Sequence, residues 1–87
     1  MTPELISDLL LKVKFKEGSL SHKIARIILE SDNKPFTEVL TRIVDMSGTC
    51  NILYARTRYY QVRKRIEDCT DLKVSMVVKK YVSIGKK

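Results

Sequence analysis

The chain has 87 residues, 44% of them hydrophobic and 31% charged, and a formal net charge of +7. That is the length of one small domain with an ordinary globular composition, which excludes wholesale disorder and leaves room for only a marginal core. All of the net charge lies in the last 37 residues: from Asn51 to Lys87 ten basic residues face three acidic ones, whereas from Met1 to Cys50 seven face seven.

A charge asymmetry of this kind points to a polyanionic partner met by the C-terminal half, most simply nucleic acid. The plainer alternative is a solvated basic face. No apolar run is long enough to cross a bilayer, and no basic-then-apolar leader with a small-residue cleavage site opens the chain, so the expectation is an intracellular, cytoplasmic protein without a membrane partner, nucleoid-associated if DNA-bound. A core this small also invites support from a second copy as a homodimer, or from another partner.

In chain order, Thr2-Pro3-Glu4 is a helix start: Thr2 can cap, Pro3 suits the first helical position and Glu4 favours the positive end of the dipole. Leu5, Ile6, Leu9, Leu10 and Val13 then give an apolar face at helical spacing, and Lys14 to Gly18 breaks the pattern. Ser19 or Ser21 caps a second helix with Leu20, Ile24, Ile27 and Ile28 inward and Lys23, Arg26 and Glu30 wet. Ser31 to Pro35 is a loop by composition. A third helix runs from about Thr37 to Ser47, with Phe36, Val39, Leu40, Ile43 and Met46 facing inward. Gly48 stands where helices often stop in a left-handed conformation.

Thr49 or Asn51 caps a fourth helix. From Asn51 to Cys69, the residues Ile52, Ala55, Tyr59, Val62, Ile66 and Cys69 recur at alternating spacings of three and four, one stripe of a long amphipathic helix. Tyr59 lies on that stripe and belongs to the core; Tyr60 lies off it and is expected to be exposed. Asp68 to Asp71 ends the helix. Leu72 to Ile84 is rich in β-branched residues, and Leu72, Val74, Met76 and Val78 alternate with Lys73, Ser75, Val77 and Lys79 as in a strand. Lys79-Lys80 either turns into a second strand ending before Gly85 or leaves a single strand. The expected fold class is α+β and mostly helical, three to four helices followed by a short strand or hairpin, in one domain spanning 1–87.

Catalytic signatures are missing. Cys50 and Cys69 are expected to stay reduced, and with His22 they do not make a tetrahedral zinc set. His22 stands just after a helix start and reads as a surface or capping residue. No Gly-rich phosphate loop, metal-binding carboxylate cluster or nucleophile elbow appears, so neither an enzyme nor a cofactor is expected.

The order of helix, short Gly-containing turn, long basic helix and β-rich tail resembles a winged helix-turn-helix domain, over roughly Ser19 to Ile84. The resemblance rests on Phe36 through Gly48, on Thr49 through Asp68, and on the run from Val62 to Val74 as the close of a recognition helix entering a wing. The chain departs from the pattern at Thr49, a place that is often apolar, in the length of its last helix, and in lacking a glycine at the wing tip.

The resemblance implies that the last helix enters the major groove of double-stranded DNA and that the wing touches its backbone. Asn51, Tyr54, Arg56, Thr57, Arg58 and Gln61, in the N-terminal half of that helix, are then the candidates for base contact, since Arg can fork onto guanine and Asn or Gln can read adenine. Tyr60, Arg63, Lys64, Lys73, Lys79 and Lys80 are the backbone candidates. The expected function is a small transcriptional regulator, of a size that suits a phage, viral or plasmid genome. The rivals are a module that binds transcription machinery or another acidic protein surface, and RNA binding, which the low aromatic content disfavours. The first helix either completes the core or builds a dimer.

Overall fold

The computed structural model describes residues 2–48, 51–77 and 80–86. Four helices, α1 (Pro3–Val13), α2 (Leu20–Leu29), α3 (Phe36–Ser47) and α4 (Ile52–Cys69), are followed by two strands, β1 (Leu72–Val77) and β2 (Tyr81–Lys86). The strands pair antiparallel, from Leu72 opposite Lys86 to Val77 opposite Tyr81. The C-terminal tail is therefore a hairpin and not a single strand. Its second strand runs through Gly85 to Lys86, past the expected end.

The helix ends obey local chemistry. The Thr2 hydroxyl accepts from the Leu5 amide, and the Ser19 hydroxyl from the His22 amide, so Ser19 and not Ser21 caps α2. Helix α3 starts at Phe36 after Pro35, with no side-chain cap, and stops at Gly48, whose φ of 73° is the left-handed conformation that glycine adopts without strain. The Asn51 side-chain oxygen accepts from the amides of Leu53 and Tyr54 and caps α4. Thr49, the other cap candidate, lies outside the described residues, as do Cys50, Val78 and Lys79.

One core joins all four helices and the hairpin. Helix α1 contributes Ile6, Leu9, Leu10 and Val13; α2 contributes Ile24, Ala25, Ile27, Ile28 and Leu29; α3 contributes Val39, Leu40 and Ile43; α4 contributes Ala55, Tyr59, Val62 and Ile66; and the strands contribute Val74 and Val82. Helix α1 thus packs into the core, whatever else its outer face does. Its Leu5, expected inward, is exposed because it lies a helical step to one side of the Ile6–Val13 stripe.

Ile52, placed by its spacing on the α4 stripe, is 49% exposed. It occupies the first position of α4, ahead of Ala55, where the helix first meets the packed layer, and Cys69 at the other end is only half-buried, so the buried stripe is one step shorter at each end than the spacing suggests. Leu20, Phe36 and Met46 are half-buried at the margin of the core rather than inside it.

The loop after α2 becomes part of the sheet. The Asn33 amide donates to the Val82 carbonyl (2.8 Å), the Val82 amide to the Lys34 carbonyl (2.9 Å) and the Phe36 amide to the Lys80 carbonyl (2.7 Å). Pro35 forms an antiparallel bridge to Tyr81. The Asp32 carboxylate accepts from the Ile84 amide at 3.1 Å. Ser31 is buried at the start of this loop, where its hydroxyl donates back to the Ile27 carbonyl. Composition marked this segment as a loop; its role as an edge partner depends on the second strand and the turn before it, 44 or more residues away in sequence, and nothing local encodes it.

Ile66 is fully buried near the C-terminal end of the α4 stripe. Ile66→Ala is expected to cost about 2–5 kcal/mol, a large part of the stability of so small a domain. Chemical denaturation monitored by far-UV circular dichroism measures this; an unchanged midpoint would contradict the packing.

Candidate nucleic-acid interface

Successive residues of an α-helix turn by about 100°, so burial of Ala55, Tyr59, Val62 and Ile66 fixes where every other α4 side chain points. Leu53, Thr57, Gln61, Lys64 and Asp68 form the outward ridge, and all are exposed. Arg56, Tyr60, Arg63 and Glu67 share the flank toward α3 and the hairpin. Arg58 and Arg65 share the opposite flank, toward α1 and α2.

The predicted site residues separate along these lines. Arg56 and Lys64 are exposed and, among the described residues, make no hydrogen bond or ion pair. Thr57 is exposed, with its hydroxyl donating to the Leu53 carbonyl at 3.0 Å. The Asn51 oxygen is committed to the cap, so reading a base with it would compete with helix initiation. Tyr54 is 41% exposed beside Leu53 at 66%, which makes the first turn of α4 an apolar prow rather than a polar one.

Arg58 is half-buried and tied down on both sides, donating to the Ser21 hydroxyl on α2 and to the Gln61 side-chain oxygen (3.3 Å). It is brought to the α2 flank and away from the outward ridge. Arg65, which the sequence did not single out as a contact, donates to the Val13 carbonyl at 3.2 Å and lies 5.4 Å from the centre of the Phe15 ring. Only the three-dimensional packing of α4 on α1 reveals that placement.

Tyr60, expected to be exposed, is half-buried. Its ring lies 5.3 Å from Tyr59 and 6.3 Å from Phe36, and the Arg63 guanidinium stands over it at 5.9 Å. The flank it occupies faces the aromatic ring of Phe36 at the start of α3, which covers part of it.

Arg63 also pairs with the Glu67 carboxylate at 3.6 Å, and the other Glu67 oxygen accepts from the Val74 amide in β1 at 3.1 Å. This chain of contacts fastens the hairpin to α4. The Leu72 amide, two residues earlier, donates to the Thr70 hydroxyl. Both groups face outward on an edge strand, and satisfying them from α4 and its C-terminus blunts that edge against pairing with another chain. Lys73 is exposed on the strand face opposite buried Val74, and Lys80 is exposed at the turn before β2. Lys79 lies outside the described residues.

Tyr59 underlies the whole surface. Its ring meets Phe36 edge-on at 4.9 Å, and its hydroxyl is enclosed with no hydrogen-bond partner among the described residues. Burial pushes the phenol up to about 12 from the ordinary 10.0; Arg63 pulls it down, while Tyr60 and Glu67 push it the same way as burial. The folded protein therefore favours the neutral phenol.

Among the described residues no group of three His, Cys, Asp or Glu side chains is placed to hold a metal ion, and no helix is long and apolar enough to cross a membrane. Cys69 is half-buried with a free thiol. No protein-family model matches the chain, and comparison with curated proteins and with solved structures finds no match either.

The Tyr59 geometry carries a pH prediction. Below pH 10.0 the phenol is neutral in both folded and unfolded chains; between there and about 12 only the unfolded chain ionises, so stability falls across that window. Tyr59→Phe removes an unsatisfied hydroxyl, so it should leave neutral-pH stability equal or higher and flatten the alkaline decline. Urea midpoints of both proteins across that range test this, and a loss beyond about 1 kcal/mol at neutral pH would reveal a partner for the hydroxyl.

Proposed function

We propose that this protein binds double-stranded DNA through the outward ridge of α4 and the basic residues of the adjoining hairpin, and acts as a small transcriptional regulator of the winged helix-turn-helix kind. The observation that carries the reading is an 18-residue helix buried along one stripe only, whose open face is supplied by the segment that holds all of the net charge. Phosphate groups crowd along DNA, and Lys or Arg contacts release the counterions condensed on them. Arg56, Thr57, Gln61 and Lys64 are the side chains best exposed for reading or gripping a groove, and Lys73 and Lys80 suit backbone contact. Arg58 is better suited to backbone contact than to base reading, because its guanidinium is already oriented by Ser21 and Gln61.

A second reading draws on a specific feature. Ile52, Leu53 and Tyr54 expose apolar surface on the first turn of α4, at 49%, 66% and 41%. A recognition helix meets bases with its N-terminal turns, where apolar side chains serve for contact with thymine methyl groups. The same three residues would also serve a protein-interaction module that docks on transcription machinery.

Fluorescence anisotropy with labelled duplex discriminates the two. If about six phosphates are contacted, log affinity should fall with log salt with a slope near −5. Arg56→Ala should cost about 1–3 kcal/mol on a selected site and much less on a scrambled duplex, whereas Lys80→Ala should weaken both alike and make the slope shallower by about one unit. No duplex binding at low salt would remove the DNA reading and leave the protein-interaction one.

A further inference from the structure

We propose that the cleft between the α1–α2 corner and the flank of α4 is a phosphate-binding site built from Ser21, Arg58, Gln61, Lys64 and Arg65. The cleft has a volume of about 310 Å³, is floored by Phe15 and Val62, and carries a single acidic residue, Asp68, in its lining.

Three cations line one cleft, and among the described residues none of them is in an ion pair. Arg58 is the most telling. It is half-buried, its Nε–H is enclosed without a partner, and its other described contacts, Ser21 and Gln61, are neutral. A half-buried guanidinium with an enclosed, unpartnered Nε–H and only neutral acceptors keeps an uncompensated charge, which a nearby anion stabilises. The remaining polar chemistry is donor-rich. Ser21 uses its oxygen to accept from Arg58 and keeps its O–H to donate; Gln61 accepts through its carbonyl and keeps its NH2. Arg65 is held from behind by the Val13 carbonyl and the Phe15 ring, and Lys64 stands exposed on the rim. Three cations and two further donors against the one carboxylate of Asp68 suit a ligand rich in acceptors, and phosphate, with several charged oxygens, fits better than a neutral one. Holding both arginines in place beforehand lowers the ordering cost of binding.

The phosphate has two sources, a duplex backbone or a free phosphorylated ligand, and only the first rests on the DNA reading above. The full chain, labelled with nitrogen-15, is titrated at low ionic strength with inorganic pyrophosphate against sodium chloride of matched ionic strength. Saturable shifts of the Arg58 and Arg65 Nε–H signals and of the Ser21 amide, absent with chloride, are expected. Lys64→Gln, which breaks no described contact, should weaken binding about fivefold, and Asp68→Asn should tighten it by a similar factor. A drift equal to that of chloride, or indifference to both substitutions, overturns the site. A duplex titration of Arg65→Gln then identifies the source. A weaker complex with a salt slope shallower by about one unit assigns the phosphate to DNA, and an unchanged complex assigns it to a free ligand. Duplex binding by a protein that fails the pyrophosphate test leaves the DNA reading standing and removes this one.

Discussion

Everything in this fold depends on the burial of one helical stripe, Ala55, Tyr59, Val62 and Ile66 of α4. Those side chains meet α2, α3 and the hairpin in a single core. Each large one contributes about 1.5–3 kcal/mol on leaving water, against a net stability of about 5–15 kcal/mol for a typical domain. The stripe also sets the phase of the helix. Once it is buried, the outward ridge, the Arg56 flank and the Arg58 flank have no freedom to exchange places, so the packing that stabilises the chain also decides which charges it presents.

The hairpin is held from two sides, and this governs where the second group of cations sits. From α4, Glu67 reaches the Val74 amide while Arg63 steadies the carboxylate. From the loop after α2, residues 33–36 pair with the backbone around Val82 and Lys80, and Asp32 takes the Ile84 amide. The Arg63–Glu67 pair is about a quarter exposed on each side, so solvent screens much of its Coulomb energy. Its value is positional: without Glu67 the Val74 amide would lose its acceptor. Thus Arg63 is engaged with the hairpin, and Lys64, one residue on, is exposed and in no ion pair among the described residues.

Much of this was legible in the residues. Thr2, Ser19 and Gly48 mark helix ends by chemistry that operates within a few residues, and the three-and-four spacing from Ala55 to Ile66 phased α4 correctly. What escaped was set by distance in sequence. Ile52 obeys the spacing, yet among the described residues no neighbouring element buries it. Tyr60 lies off the stripe and is still half-covered, because Phe36 reaches it from α3. The placement of Arg58 and Arg65 against Ser21, Phe15 and Val13 and the strand-like pairing of residues 33–36 join segments that no periodicity links.

The exposed apolar turn at Ile52–Tyr54 and the polar ridge behind it, with Arg56 on its flank, lie on one helix. The most direct measurement is an amide and side-chain chemical-shift map of the labelled protein with a duplex at moderate salt. The presented face of α4 should respond as a unit: Arg56, Thr57, Gln61 and Lys64, together with Lys73 and Lys80, shift on binding, while the exposed α3 residues Thr41, Arg42 and Asp45 stay silent. Perturbation centred on α3, with the α4 ridge unchanged, would contradict the assignment of that ridge as the binding surface.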